Sequence, residues 1–113
     1  TIAEGDFDVA RAGWVADYND AENFLTLLES GVGNNYGAYA NPAFDALLAE
    51  AARTQDADAR QALLEEAETL AMQAHAVAPL LSYVSRHLVN PALDGWQNNI
   101  EDDHPSRWIS FEE

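Results

Sequence analysis

Arg11, Gly13, Trp14 and Asp17 place a cation, a glycine, a large aromatic ring and an anion within seven residues. Phe7, Val9, Arg11, Gly13 and Val15 share one parity, and Asp8, Ala10, Ala12 and Trp14 the other, which predicts a strand over 7–16. A strand end of the form Gly13-Trp14-Val15 offers its backbone to an extended ligand by β-augmentation. In that arrangement Asp17 meets a ligand amine and Trp14 lies beside a ligand side chain. The same residues also suit structural roles: Trp14 in a core, Arg11 in an ion pair, Asp17 closing an Asx turn. Gly13, on an otherwise apolar face, marks a place where another backbone comes close.

Other reactive side chains lack the context their chemistry needs. His75, His87 and His104 lie 12 and 17 residues apart, and the chain has no Cys, so no zinc signature is formed. Glu65, Glu66 and Glu68, and the Asp102-Asp103 pair, have no apolar flanks that would raise a pKa for acid–base work. Gly31-Val32-Gly33 follows a helix instead of leading into one, unlike a phosphate-binding loop. Ser30, Ser82, Ser85, Ser106 and Ser110 sit in no nucleophile elbow. The residues therefore point to no catalytic group, no metal ligand and no cofactor.

Three helices are expected to carry the Arg11–Asp17 segment. Asp20 is placed to cap the first, with Glu22 in its first turn and Phe24, Leu25, Leu27 and Leu28 as its apolar face. The Gly-, Asn- and Tyr-rich stretch from Ser30 to Asn41 reads as a loop. Asn41-Pro42 opens the second helix, whose stripe Phe44, Leu47, Leu48 and Ala51 falls at i, i+3, i+4 and i+7. Arg53 complements that helix's C-terminal end. After an acidic break over 54–58, the third helix runs to about His75, with Leu63, Ala67, Leu70, Ala71 and Ala74 as its stripe. Leu80 to Val89 reads as a strand, Asn90-Pro91 and Gly95 as a loop, 96–105 as irregular, and Arg107 to Phe111 as a final strand. The order is strand, three helices, then one or two strands, an α/β or α+β arrangement without internal repeats, in a chain of 113 residues that reads as a single domain.

Twenty acidic residues face five arginines and no lysine, a net charge of −15, or about one negative charge per seven or eight residues. Such a surface repels phosphate backbones and anionic lipid, which argues against nucleic acid and membrane surfaces as partners. The acids are spread along the chain, as in a solvated surface, so they single out no cationic partner. No apolar run approaches the ~20 residues of a membrane helix, and residues 1–6 have neither the basic nor the apolar part of a secretory signal.

The run from Phe7 to Asp20 closely resembles the C-terminal lobe of oligopeptide-binding proteins, the family 5 extracytoplasmic solute-binding proteins of ABC peptide importers. The resemblance continues through Asn23-Phe24-Leu25, Asn35-Tyr36, Tyr39 to Leu48, Arg60 to Ala74, and Ala78-Pro79-Leu80-Leu81-Ser82-Tyr83 to Leu88-Val89, nearly the whole chain in register. It implies part of the C-terminal lobe of a two-lobed, periplasmic-binding-protein-like fold, working outside the cytoplasm and delivering its ligand to a membrane permease. It implies that Asp17 receives the peptide α-amine and that Gly13, Trp14 and Val15 pair with the peptide backbone. Arg11 matches an arginine that helps neutralise a peptide carboxylate in some members. Ala21 departs from the family by standing where many members have proline, which bears on loop rigidity more than on ligand chemistry. Members of the family are several times longer, so the chain is expected to correspond to part of one lobe and, taken alone, to expose apolar surface and self-associate. A small acidic protein-interaction domain using the loop 31–39, and a carboxylate-based hydrolase, are the readings from other classes.

Overall fold

The computed structural model describes residues 2–99 and 101–111; Ile100, inside the irregular stretch expected over 96–105, lies outside them. Its core is a helix pair. Helix α2, Pro42–Ala51, starts as its sequence dictates: the Asn41 side chain accepts a hydrogen bond from the Ala43 amide at 3.0 Å, and Pro42 fills the first turn. Helix α3, Ala57–Gln73, starts likewise on Asp56, whose carboxylate accepts from the Ala59 amide at 2.8 Å. His75, just past the helix end, takes a left-handed φ of 54°. Phe44, Leu48 and Ala51 of α2 meet Leu64, Ala67 and Ala71 of α3 in one buried cluster. Alanine on the facing positions lets the two helices approach closely, while Phe44, fully buried, fills the space between them. The α3 face is turned slightly from the expected stripe: Leu64 is buried where Leu63 was expected, Leu63 is half-buried against the core, and Ala74 is exposed.

Two smaller pieces dock on this pair. Helix α1, Glu22–Leu25, continues as a 3-10 turn over Thr26–Leu28, and Leu25 and Leu28 pack against the core while Phe24 faces solvent. Asp20 does cap this helix start, one residue before the formal N-cap Ala21, by accepting from the Glu22 amide at 2.9 Å. The loop after it is tied by Asn35. Its amide donates to the carbonyls of Leu28, Glu29 and Tyr39, and its side-chain oxygen accepts from the Tyr39 amide. Tyr39 is thereby set edge-on to Phe44, ring centroids 5.5 Å apart.

Strand structure departs from expectation. The only ladder among the described residues joins β1, Leu93–Asp94, to β2, Ser110–Phe111, antiparallel, with Leu93 opposite Phe111 and Asp94 opposite Ser110. Gly95 closes it, since at φ 82° a Cβ there would lie 1.8 Å from the Trp108 carbonyl oxygen. β1 falls where a loop was expected, and the expected final strand is a 3-10 turn over Ser106–Trp108 followed by β2. The expected strands over 7–16 and 80–89 are not formed. Among the described residues no backbone hydrogen bond joins either to another segment. Their composition suits a sheet, but a strand exists only through a paired neighbour, and the described residues supply none. The fold is α+β, with three α-helices and a minimal sheet among the described residues.

The molecule is open. Its radius of gyration is 18.2 Å, against about 13–14 Å for a compact domain of this length. Its accessible surface is 8838 Å², against about 6,100 Å² for a compact protein of 12.4 kDa. Much of the excess is apolar: Val9, Val15, Leu80, Leu81, Tyr83, Val84 and Leu88 are all more than half exposed.

Arg60 of α3 clamps α1 to the core, pairing with Asp20 at 2.9 Å and Glu22 at 2.8 Å. Hydrogen bonding from Arg60, helped by the Glu22 amide, holds the Asp20 carboxyl below its ordinary range. A depressed carboxyl pKa contributes stability that is present above the unfolded value of about 3.9 and is lost as pH falls through the folded value. Asp20→Asn is therefore expected to cost on the order of 1 kcal/mol at neutral pH, partly screened by solvent, and progressively less as pH falls from neutral into the acid range. Urea denaturation of both proteins across that range checks this; a difference independent of pH contradicts it.

Candidate functional site

Asn23 organises the segment that the sequence singles out. It lies in the first turn of α1 and is the one buried polar residue among those described. Its side-chain oxygen accepts from the Trp14 indole Nε1–H at 2.8 Å and from the Asp17 backbone amide at 3.1 Å. Its amide nitrogen donates to Asp17 Oδ2 at 3.3 Å. Ala16, buried at 5% exposure, pins the backbone between them. The result is a half-buried indole and an exposed carboxylate held in fixed relation on one edge of the helical core. Gly13 and Val15, on either side of Trp14, are exposed, and the backbone groups of Gly13, Trp14 and Val15 make no backbone hydrogen bond among the described residues.

Arg11 is placed apart from Asp17. Its guanidinium donates to the Tyr83 hydroxyl and lies 5.8 Å from the centre of that ring. The close approach expected at Gly13 is made by the same tyrosine: a Cβ at Gly13 would lie 3.2 Å from the Tyr83 ring. The neighbour is thus a side chain where a backbone was expected. The structure therefore brings Trp14 and Asp17 together through Asn23, and Arg11 and Gly13 together around Tyr83. No arginine pairs with Asp17 among the described residues.

Chemically, this edge can bind but not react. An exposed carboxylate backed by one amide donor can receive an ammonium group, and three residues of unpaired backbone can receive an extended chain. Among the described residues no nucleophile–base pair accompanies them. Two clefts among the described residues lie elsewhere. One of about 800 Å³ runs between α1 and α3 past Phe24, Arg60 and Leu64. Another, of about 420 Å³, lies beside Gly95, His104 and Trp108. Arg11, Gly13, Trp14, Val15 and Asp17 line neither. Among the described residues, a group of side chains that could hold a metal ion lies well along the chain, where His87, Asp102 and His104 converge.

Asn23 has no role in the sequence reading, although its neighbours do. The available signal was an amide residue at the start of an apolar helix face, a few residues beyond Trp14 and Asp17. Asn23→Ala is expected to cost about 1–3 kcal/mol, because it strips the Trp14 indole and the Asp17 amide of their acceptor. Asn23→Asp keeps that acceptor but sets a second carboxylate against Asp17, so it is expected to destabilise most at neutral pH and to recover on acidification. Denaturation followed by indole fluorescence checks both; unchanged midpoints contradict the role given to Asn23.

No protein-family model matches the sequence. Individual proteins do. The chain is 42% identical over 104 residues, 91% of its length, to the periplasmic murein peptide-binding protein MppA of Escherichia coli. It is 38% identical over 100 residues, 88% of its length, to the periplasmic oligopeptide-binding protein OppA of Haemophilus influenzae. It spans about a fifth of the length of these relatives, 19% and 18% respectively. Superposed on the solved structure of the E. coli murein tripeptide-binding protein, 97% of the chain matches 22% of that protein with a TM-score of 0.88 and 40% identity. Both relatives carry binding proteins' names, not enzymes'. In sequence and in fold, the chain matches the C-terminal part of the periplasmic oligopeptide- and murein-peptide-binding proteins.

Proposed function

We propose that the chain is the amine-anchoring segment of the C-terminal lobe of an extracytoplasmic peptide receptor that serves an ABC importer. Asp17 receives the α-ammonium of the peptide, Gly13, Trp14 and Val15 pair with its backbone, and Arg11 faces negative charge on the ligand. The observation that carries this reading is the Asn23 node. A buried amide fixes the carboxylate and the indole together beside backbone that the chain itself leaves unpaired. The names of the relatives, which bind oligopeptides and murein peptides, supply the ligand class. The open shape and the exposed apolar residues of 80–89 agree with a body that is completed by further chain.

The reading assigns no bond-making step to any residue. A second lobe closing over the peptide would bury the Asp17 carboxylate with its ammonium partner, and exclusion of water would strengthen that pair. A permease in the membrane would then take the peptide. The chain alone presents one side of such a site and is expected to hold peptides weakly.

The experiment is a titration of the complete receptor with unmodified short peptides, followed by the Trp14 indole N–H resonance. The expected result is saturable binding with a large shift of that resonance. Saturable binding that leaves the Trp14 signal unmoved places the peptide elsewhere, and absence of peptide binding overturns the reading as a whole.

A further inference from the structure

A second convergence of side chains lies outside the Asn23 node and shares no residue with it. His87 Nε2 is 2.7 Å from Asp102 Oδ1, and His104 Nε2 is 3.1 Å from the same oxygen. All three donor atoms lie within 4.8 Å of one another. From this geometry we propose that His87, Asp102 and His104 form a binding site for a borderline transition-metal dication of the zinc type.

The distances suit the assignment. Metal–nitrogen and metal–oxygen bonds of about 2.0–2.2 Å at tetrahedral angles set donor atoms about 3.4 Å apart. A cation entering between the three groups therefore needs His87 to move about 0.7 Å and His104 about 0.3 Å away from the Asp102 oxygen. Two imidazoles and one carboxylate favour zinc, cobalt, nickel or copper over magnesium and calcium, which select all-oxygen sites. Three protein ligands leave a coordination position for water.

The surroundings hold the donors in place. Trp96 stacks on the His104 ring at 3.8 Å and 18°, and sits 5.1 Å from the His87 ring. His104 is thereby left with a side-chain exposure of 11%, while His87 and Asp102 stay open to solvent at 31% and 37%. Asp102 takes a left-handed φ of 55°, inside a turn that Asn99 ties by donating to the Asp103 carbonyl at 2.8 Å and accepting from the Asp103 amide at 3.1 Å. Hydrogen bonding from Ser85, with that from His87 and His104, lowers the Asp102 carboxyl from its ordinary range. The third histidine, His75, belongs to the end of α3 and not to the cluster. Spacing between histidines alone conceals the site, because its third ligand is a carboxylate two residues before His104.

Such a cation would join the segment carrying His87 to the turn that follows β1. It would fasten a region where the expected strand over 80–89 makes no backbone ladder, so occupancy is expected to raise the melting temperature.

The test is titration of the chain with Co2+ and with Zn2+ in excess Mg2+, which occupies the acidic surface without competing for imidazole. The expected result is one-to-one binding, with visible d–d bands of low-coordinate cobalt and with Zn2+-dependent shifts of the His87 and His104 ring signals but not those of His75. His87→Ala and Asp102→Asn are each expected to weaken binding at least tenfold, because loss of even an outer partner of a metal ligand costs about 10- to 100-fold. His75→Ala is expected to bind as the wild type does. Binding abolished by Mg2+, His75 signals moving with the other two, or equal affinity in all variants overturns the proposal. Because the ring signals are read on the wild-type chain, the proposal stands or falls even if a variant fails to fold.

Discussion

Phe44→Ala is expected to lower the stability of the chain by about 3–5 kcal/mol, the range for truncating a fully buried aromatic ring. Phe44 has no exposed surface and stands between Leu48 and Ala51 of its own helix and Leu64, Ala67 and Ala71 of the next. Three of those five neighbours are alanines, which are too short to close on the cavity. Tyr39 also loses its edge-on partner at 5.5 Å. Natural domains retain only about 5–15 kcal/mol in total, so this variant is expected to be largely unfolded near room temperature or to melt far below the wild type. Leu88→Ala is the contrast. Leu88 is 107% exposed, and its truncation in the isolated chain is expected to change stability by no more than about 0.5 kcal/mol. Urea denaturation of the three proteins checks both statements. A loss below about 1 kcal/mol for Phe44→Ala contradicts the two-helix core.

Asp17→Asn carries the largest expected effect on binding. On the proposed reading, the complete receptor buries the peptide ammonium against the Asp17 carboxylate, and an unpaired buried ammonium is very costly. The substitution keeps the side chain's shape and removes its charge. Loss of one partner of a desolvated charge pair costs about 2–5 kcal/mol, or roughly 30- to several-thousand-fold in affinity. The hydrogen bond from Asn23 to Oδ2, at 3.3 Å, is long, so little folding stability is expected to go with it. A purely structural Asp17 gives the opposite pattern, with lowered stability and intact affinity. Calorimetry and denaturation on the same two proteins separate the outcomes.

How far the sequence speaks for the fold depends on how local the determining physics is. The start of α2 is written in two adjacent residues, Asn41 and Pro42, and the structure forms the cap they describe. The α2 stripe follows from a 3.6-residue period and is buried as expected at Phe44, Leu48 and Ala51. Strands are another matter, because their hydrogen bonds lie in a neighbour the local sequence does not contain. Residues 7–16 and 80–89 have strand composition but no ladder here. The short β1–β2 pair depends on Gly95 meeting the Trp108 carbonyl, a contact between residues distant in sequence. The candidate site divides in the same way. Trp14 and Asp17 stand out by type and spacing, whereas Asn23 matters only because α1 turns its side chain back onto both. The His87–Asp102–His104 cluster is likewise a product of the fold, since the spacing of its histidines matches no local ligand motif.

The most direct measurement of the amine anchor is the affinity of the complete wild-type receptor for one short peptide in two forms, with a free and with an acetylated N-terminus. Acetylation removes the ammonium and leaves the remaining backbone able to pair with Gly13, Trp14 and Val15. The free peptide is expected to bind roughly 30- to several-thousand-fold more tightly, and Asp17→Asn is expected to abolish most of that preference. Equal affinity of the wild type for the two forms contradicts the assignment of Asp17 as the ammonium's partner.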